Sequence, residues 1–210
     1  MLAQTEMALI TFTDYMIQLL EEKKAQHVVE IGPDRQVRLA RDLSGSCVRY
    51  TAVALPEDYA RDQDCFEHAL DMADVTNVTI MPGNAIDLSQ LVHSADVIVI
   101  KNVLFDLTGE DTALMWRYRR KEEPCTDELW NALLARFDGA EEKIYRECLS
   151  VAHPGTIIRF GREKGGERFR TFLNETLKIN PANVQCIPLL YDTEPDSKNE
   201  SWEAHVINNP

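Results

Sequence analysis

The sequence lacks an apolar run approaching the roughly 20 residues that a helix needs to cross a bilayer, so no membrane partner is expected. Nothing at Met1–Glu6 places positive charge ahead of an apolar stretch, so no secretory signal is read there. Basic residues are scarce: 22 Lys and Arg face 35 Asp and Glu, a formal net charge of −13. Like charges repel at long range, which argues against a nucleic-acid partner held along its phosphates. Cysteines are odd in number (Cys47, Cys65, Cys125, Cys148, Cys186), and none forms a CxxC pair. They read as reduced thiols of a cytoplasmic protein, two or three of them in the core. His27, His68, His93, His153 and His205 are scattered too, so spacing gives no zinc site and no metal is expected. No Ser-His-Asp or Cys-His order stands out, and hydrolase chemistry has no support. Repeats, low-complexity tracts and linkers are also missing.

What is there suits one domain. With 44% hydrophobic residues, 210 residues can bury a sizeable core, and 27% charged residues is ordinary for a folded chain. Thr5–Lys24 carries apolar residues at helical spacing. His27–Ile31 reads as a strand stopped by Gly32-Pro33-Asp34. A helix over Asp34–Leu43 follows, with Asp34 as its cap. Strands are expected at Val48–Ala54, Val78–Met81, Ala95–Ile100, Gly155–Phe160, Val184–Tyr191 and Trp202–Asn208. Helices are expected at Asp62–Ala73, Ala85–Val92, Gly109–Lys121, Thr126–Phe137, Asp138–Ala152 and Glu167–Lys178. The break before the fifth of these rests on Asp138-Gly139-Ala140-Glu141, which has capping-box spacing. Ala95–Ile100 is almost continuously hydrophobic, as in a parallel strand covered on both faces. The last two strands are joined by a polar loop too short for a crossover helix, so one of them runs antiparallel. The fold class is α/β: a doubly wound, seven-stranded, mostly parallel sheet with an antiparallel last strand. Residues 103–137 form a helical insertion that would serve as a substrate lid.

Four stretches, in this order, resemble the class I S-adenosylmethionine-dependent methyltransferases. Val28-Val29-Glu30-Ile31-Gly32-Pro33 is similar to the family's first motif. Pro82-Gly83-Asn84-Ala85 is similar to the turn after its third strand. Ala152-His153-Pro154-Gly155-Thr156 is similar to its Pro-Gly turn before the fifth strand. Trp202–Ile207 is similar to its reversed last strand. The resemblance implies a methyltransferase-like Rossmann fold and S-adenosylmethionine as cofactor. It carries cofactor contacts onto Glu30, Gly32, Pro33, Asp34, Ala54, Leu55, Asn84, Ala85, Lys101 and Asn102. The first motif is degenerate. Asp34 and Gln36 stand where the family continues with glycine, and Ala54 stands where it has an acid for the ribose hydroxyls. Asn84 replaces an acid that accepts from the adenine amine, a bond its side-chain carbonyl can still accept.

Lys101 ends the most apolar strand, where it would hold an acidic group or stand solvated at the rim. The Asn-Pro-Pro-aromatic motif of amino-group methylation is absent. Met115–Lys121 interleaves bases with aromatics, which reads first as a partly packed, solvated helix. Gly161–Gly166, with Arg168 and Arg170, reads as a charged turn. His27 and His153 lie at the amino ends of their strands and read as structural; His205 is open to either role. The resulting expectation is a methyltransferase acting on a small molecule. The alternatives are a non-catalytic binding or partner subunit of the same fold and, less well matched, a dehydrogenase-like nucleotide binder. The reading allows a homo-oligomer or a protein partner.

Overall fold

The structure, a computed structural model, describes residues 10–101, 110–162, 166–190 and 202–210. Seven strands form one sheet: β1 (His27–Ile31), β2 (Arg49–Ala54), β3 (Val78–Pro82), β4 (Val97–Lys101), β5 (Gly155–Arg162), β6 (Val184–Leu189) and β7 (Trp202–Asn209). Their order is β3-β2-β1-β4-β5-β7-β6. The first five pair in parallel, and β7 is inserted antiparallel between β5 and β6.

The central strands read as apolar because both their faces are covered. Every residue of β1 is buried, as are Val97–Ile100 of β4. On one face, α1 (Phe12–Lys23), α2 (Arg38–Leu43) and α3 (Pro56–Met72) pack against Val28, Tyr50, Val97, Val99, Ile158 and Phe160. On the other, α4 (Leu88–Leu91), α6 (Asp127–Val151) and α7 (Gly166–Glu175) cover Val29, Ile31, Ile98, Ile100 and Ile157. The remaining helix, α5 (Glu110–Arg119), leads into α6. Strand starts are tied by Asp96, whose Oδ2 accepts from the backbone of Gln26 (2.7 Å) and His27 (2.9 Å).

The strands fall within a residue or two of their expected spans; the helices differ more. Pro56, at the first position of α3, starts that helix six residues ahead of Asp62. The stretch 85–92 divides into a 3-10 turn (Ala85–Asp87) and the short α4. The two helices expected at 126–137 and 138–152 are one continuous helix, α6, so the capping box at Asp138 is overturned. Thr126 is the cap instead, its hydroxyl accepting from Leu129 N. The apolar positions Leu133, Ala140, Ile144, Cys148 and Val151 keep helical spacing through Gly139, and packing overrides a local cap signal. Cys148 is fully buried in one cluster and Cys47 is half-buried against the other, the lower end of the two or three core cysteines expected.

Gly139 sits inside α6 with open space where a Cβ would project. Gly139→Ala should therefore stabilise the fold by about 0.5–1 kcal/mol, the helix-interior difference between the two residues. A thermal midpoint that stays level or falls would mean that the helix breaks there after all.

Candidate functional site

The sheet changes winding direction between β1 and β4, where the chain passes from one covered face to the other. In open α/β sheets the ligand crevice lies outside the carboxyl ends of the strands at such a reversal. At that end of this sheet lie the turn after β1, the ends of β2 and β3, and Lys101.

Glu30 lies one residue from the end of β1 and is only 3% exposed. Tyr50 stands opposite Val28 in the parallel register, so its ring reaches along the same sheet face. Its hydroxyl donates to Glu30 Oε2 at 2.9 Å. Burial raises the Glu30 carboxyl to about 7, against the opposing pull of the Tyr50 hydrogen bond; Asp34 raises it further and Lys101 lowers it. Burial and the adjacent carboxylate together push the Tyr50 phenol well above its ordinary value.

Gly32 follows with φ 72°, in the left-handed region that glycine enters without a Cβ penalty. Its N–H donates to the Val53 carbonyl at 3.0 Å, and the residue is exposed. Pro33 is half-buried. The helix expected from Asp34 begins only at Arg38, after a buried Val37 at φ 43°. Asp34 Oδ1 accepts from Gln36 N at 2.8 Å, closing the turn, and from Arg38 N, the first residue of α2, at a longer 3.5 Å. Arg35 extends from this turn to α3, where its Nε lies 3.0 Å from Asp62 Oδ1. Asp62 is buried and also bound by Arg61 at 2.7 Å. The Arg61 hydrogen bond and both guanidinium charges hold its carboxyl below the usual range.

Ala54 is buried at the end of β2, and its carbonyl accepts from Gly83 N at 2.8 Å, which joins the β2 and β3 turns. Leu55 is half-buried beside it. Of the acids that follow Pro56, Asp58 is paired with Arg61 at 2.7 Å and Glu57 is exposed. Asn84 Oδ1 accepts from Ile86 N at 3.2 Å, so that carbonyl caps the next turn, with Ala85 buried beneath. Lys101 is half-buried, its Nζ 5.5 Å from the centre of the Phe12 ring. Asn102 lies outside the described residues. Glu30, Gly32, Pro33, Asp34, Ala54, Leu55, Asn84, Ala85 and Lys101 thus lie at or just beyond the carboxyl ends of β1–β4, with Glu30, Ala54 and Ala85 buried.

Tyr50 and Asp62 belong to this arrangement and were not singled out from the sequence. A tyrosine in an apolar strand carries a weak signal, namely a hydroxyl that needs a buried acceptor. Asp62 carries none until α3 is placed beside the turn.

Elsewhere, a cavity of about 850 Å³ lies between α5 and α6, lined by Leu114, Trp116, Arg117, Arg120 and Arg136 among others. The cations of this stretch are paired: Arg117 with Glu123 at 2.9 Å and Arg136 with Asp111 at 2.8 Å. His27 is structural, its Nδ1 2.6 Å from the Ser94 carbonyl and its Nε2 2.9 Å from the Thr51 hydroxyl. His205 is wholly buried in β7, where burial, then Arg159 and Arg170, pull it down to about 4.

The raised Glu30 pKa sets a pH dependence. Glu30 binds its proton more tightly in the folded protein (about 7, against 4.5 ordinarily). Stability is therefore full below the unfolded value and falls as pH rises from about 5 through 7, by roughly 3 kcal/mol in total. Glu30→Gln should flatten that decline in urea midpoints measured across pH 5–8. Tyr50→Phe removes a bond that favours the carboxylate and should shift the decline to higher pH. An unchanged slope in Glu30→Gln would assign the titration to another group.

No family model matches the chain, and no curated protein matches it by sequence. Solved structures do. The N-methyltransferase NodS of Bradyrhizobium japonicum superposes with a TM-score of 0.53 at 13% identity, over 93% of both chains. The O-methyltransferase TomG of Streptomyces achromogenes, solved with S-adenosylmethionine, gives 0.55 at 11% identity, over 94% of this chain and 79% of its own. The precorrin 8w decarboxylase of Methanobacterium thermoautotrophicum gives 0.55 at 14% identity, over 92% and 88%. At these identities the likeness concerns architecture, and it agrees with the strand order and the reversed β7. The chain has the fold of the class I S-adenosylmethionine-dependent methyltransferases.

Proposed function

We propose that this chain binds S-adenosylmethionine at the β1–β4 crevice and directs its methyl group to a small molecule. The observation that carries the reading is the juxtaposition of an exposed, positive-φ Gly32 with Lys101 across the winding reversal. The residues present fit the group in part. Gly32 gives clearance for a ligand to approach the backbone. Lys101 supplies a cation for a carboxylate, and the half-buried Pro33 and Leu55 supply apolar surface for a nucleoside. Asn84 stands just past the end of β3, and its Oδ1 caps the next turn. At the ribose, Ala54 offers no acceptor, so a lower affinity is expected than an acid there would give.

S-adenosylmethionine supplies a methyl group already bonded to an electron-poor sulfur. The protein's task is then placement of an acceptor in line with it, and no general base is required for an acceptor that is already nucleophilic. The helices of 103–137 would admit and enclose that acceptor, and the cavity between α5 and α6 lies in this part of the chain.

The departures at Asp34 and Ala54 favour a second reading, a non-catalytic subunit that keeps the architecture. Calorimetric titration with S-adenosylmethionine, S-adenosylhomocysteine and, separately, NAD distinguishes the two. Binding of the first pair supports the cofactor reading; heat with none of them at millimolar ligand supports the second. Lys101→Ala should weaken binding about tenfold, the loss of roughly 1.4 kcal/mol. Asp34→Gly, which removes bulk and negative charge, should strengthen it. Affinity unmoved by both substitutions would place the ligand elsewhere.

A further inference from the structure

The edge formed by β7 and β6 carries a group of side chains that the crevice does not use. Cys186 on β6 stands directly opposite His205 on β7. Glu203 lies two residues from His205 on the same strand, and so on the same sheet face. Cys186 Sγ, a Glu203 carboxylate oxygen and a His205 ring nitrogen all lie within 4.8 Å of one another. His205 is 0% exposed, yet among the described residues neither ring nitrogen has a hydrogen-bond partner. Its Nε2 is 3.2 Å from Glu203 Oε1 without hydrogen-bond geometry. Buried imidazole nitrogens are ordinarily satisfied, so this one calls for a partner. Access exists as well. Cys186 is exposed and lines a cleft of about 360 Å³ between α7 and β6, together with Arg170, Leu173, Ile179 and Val184.

We infer that Cys186, Glu203 and His205 form a binding site for a zinc-class divalent cation, with a fourth coordination position open to the cleft. Sulfur and imidazole nitrogen select zinc or cobalt over magnesium or calcium, which take oxygen ligands. Two ligand atoms at about 2.0–2.1 Å from a tetrahedral zinc lie roughly 3.3 Å apart, close to the nitrogen–oxygen spacing here. The sulfur closes in by a side-chain adjustment. On binding, the Cys186 thiol releases its proton to solvent and the thiolate ligates the metal.

Among the described residues, two cations border the site. Arg159 lies over the Phe169 ring at 4.5 Å, and Arg170 Nη1 donates to Cys186 Sγ at 3.2 Å. Arg170 and the metal compete for the same sulfur lone pairs, and Arg170, being exposed, yields by turning towards solvent. Spacing along the sequence could not disclose the site, since register brings together residues 17 and 19 positions apart. The site lies on β7, three strands from β1 and roughly 15 Å across the sheet, so it stands independently of the proposed cofactor crevice.

The test is titration of the full chain with cobalt(II), followed by displacement with zinc. One equivalent should bind, with sulfur-to-cobalt charge-transfer absorption and the intense visible bands of a tetrahedral site. Cys186→Ser should abolish the charge-transfer band and weaken binding roughly 10–100-fold or more. Cys65→Ser and Cys125→Ser, which change the other exposed cysteines, should leave both unchanged. Arg170→Ala should tighten binding. No charge-transfer absorption at millimolar cobalt would overturn the inference, as would a signal that survives in Cys186→Ser or disappears with Cys65 or Cys125. A Cys186→Ser protein with the parent's thermal midpoint in metal-free buffer excludes misfolding as the cause of any loss.

Discussion

Coverage of both faces of the central strands is the constraint on which the rest of this structure depends. With β1 and β4 fully enclosed, their backbone groups can be satisfied only sideways, by neighbouring strands. That requirement fixes the parallel ladder, and each parallel link then needs a crossover that returns over one face or the other. The crossovers divide the apolar residues into two separate clusters, one beneath α1–α3 and one beneath α4, α6 and α7. The sheet itself is the divide, and the winding reversal that sends crossovers to one face or the other falls between β1 and β4. The site's position is thus a consequence of packing before any chemistry is considered.

The same enclosure accounts for the polar residues near the crevice. Glu30 points into the apolar cluster beneath α1–α3 and is tolerated there because Tyr50 donates to it. Arg35 and Arg61 make Asp62 tolerable in the same way. One pair fixes the end of β1; the other ties the following turn to α3. Between them the backbone at Gly32 is held on both sides.

Strands were legible in the sequence because their signal is local: apolar, β-branched runs stopped by Gly-Pro, Pro-Gly or polar turns. The reversed β7 followed from loop length alone. Helix ends were less legible because they depend on tertiary context. Asp138-Gly139-Ala140-Glu141 has the spacing of a helix start, yet the apolar stripe runs through it and the helix does not break. Asp34 has the chemistry of a cap and is used one turn early. The crevice residues were found through motif order, whereas Tyr50 and Asp62 appear only when register and helix placement are known. Cys186, Glu203 and His205 are the extreme case: two strands with opposite directions bring them together, and no spacing rule anticipates it.

The 25 residues of α6 make a rod of roughly 38 Å, more than twice the ~17 Å span of the five-residue strands it crosses. Its carboxyl end is anchored, with the Val151 carbonyl accepting from Ala95 N beside the start of β4. The surplus length must therefore project past the opposite rim, above the crevice. There the Arg136–Asp111 pair ties it to α5. That overhang pairs with no strand, so a change in its length acts on the α5 contact before it acts on the ladder.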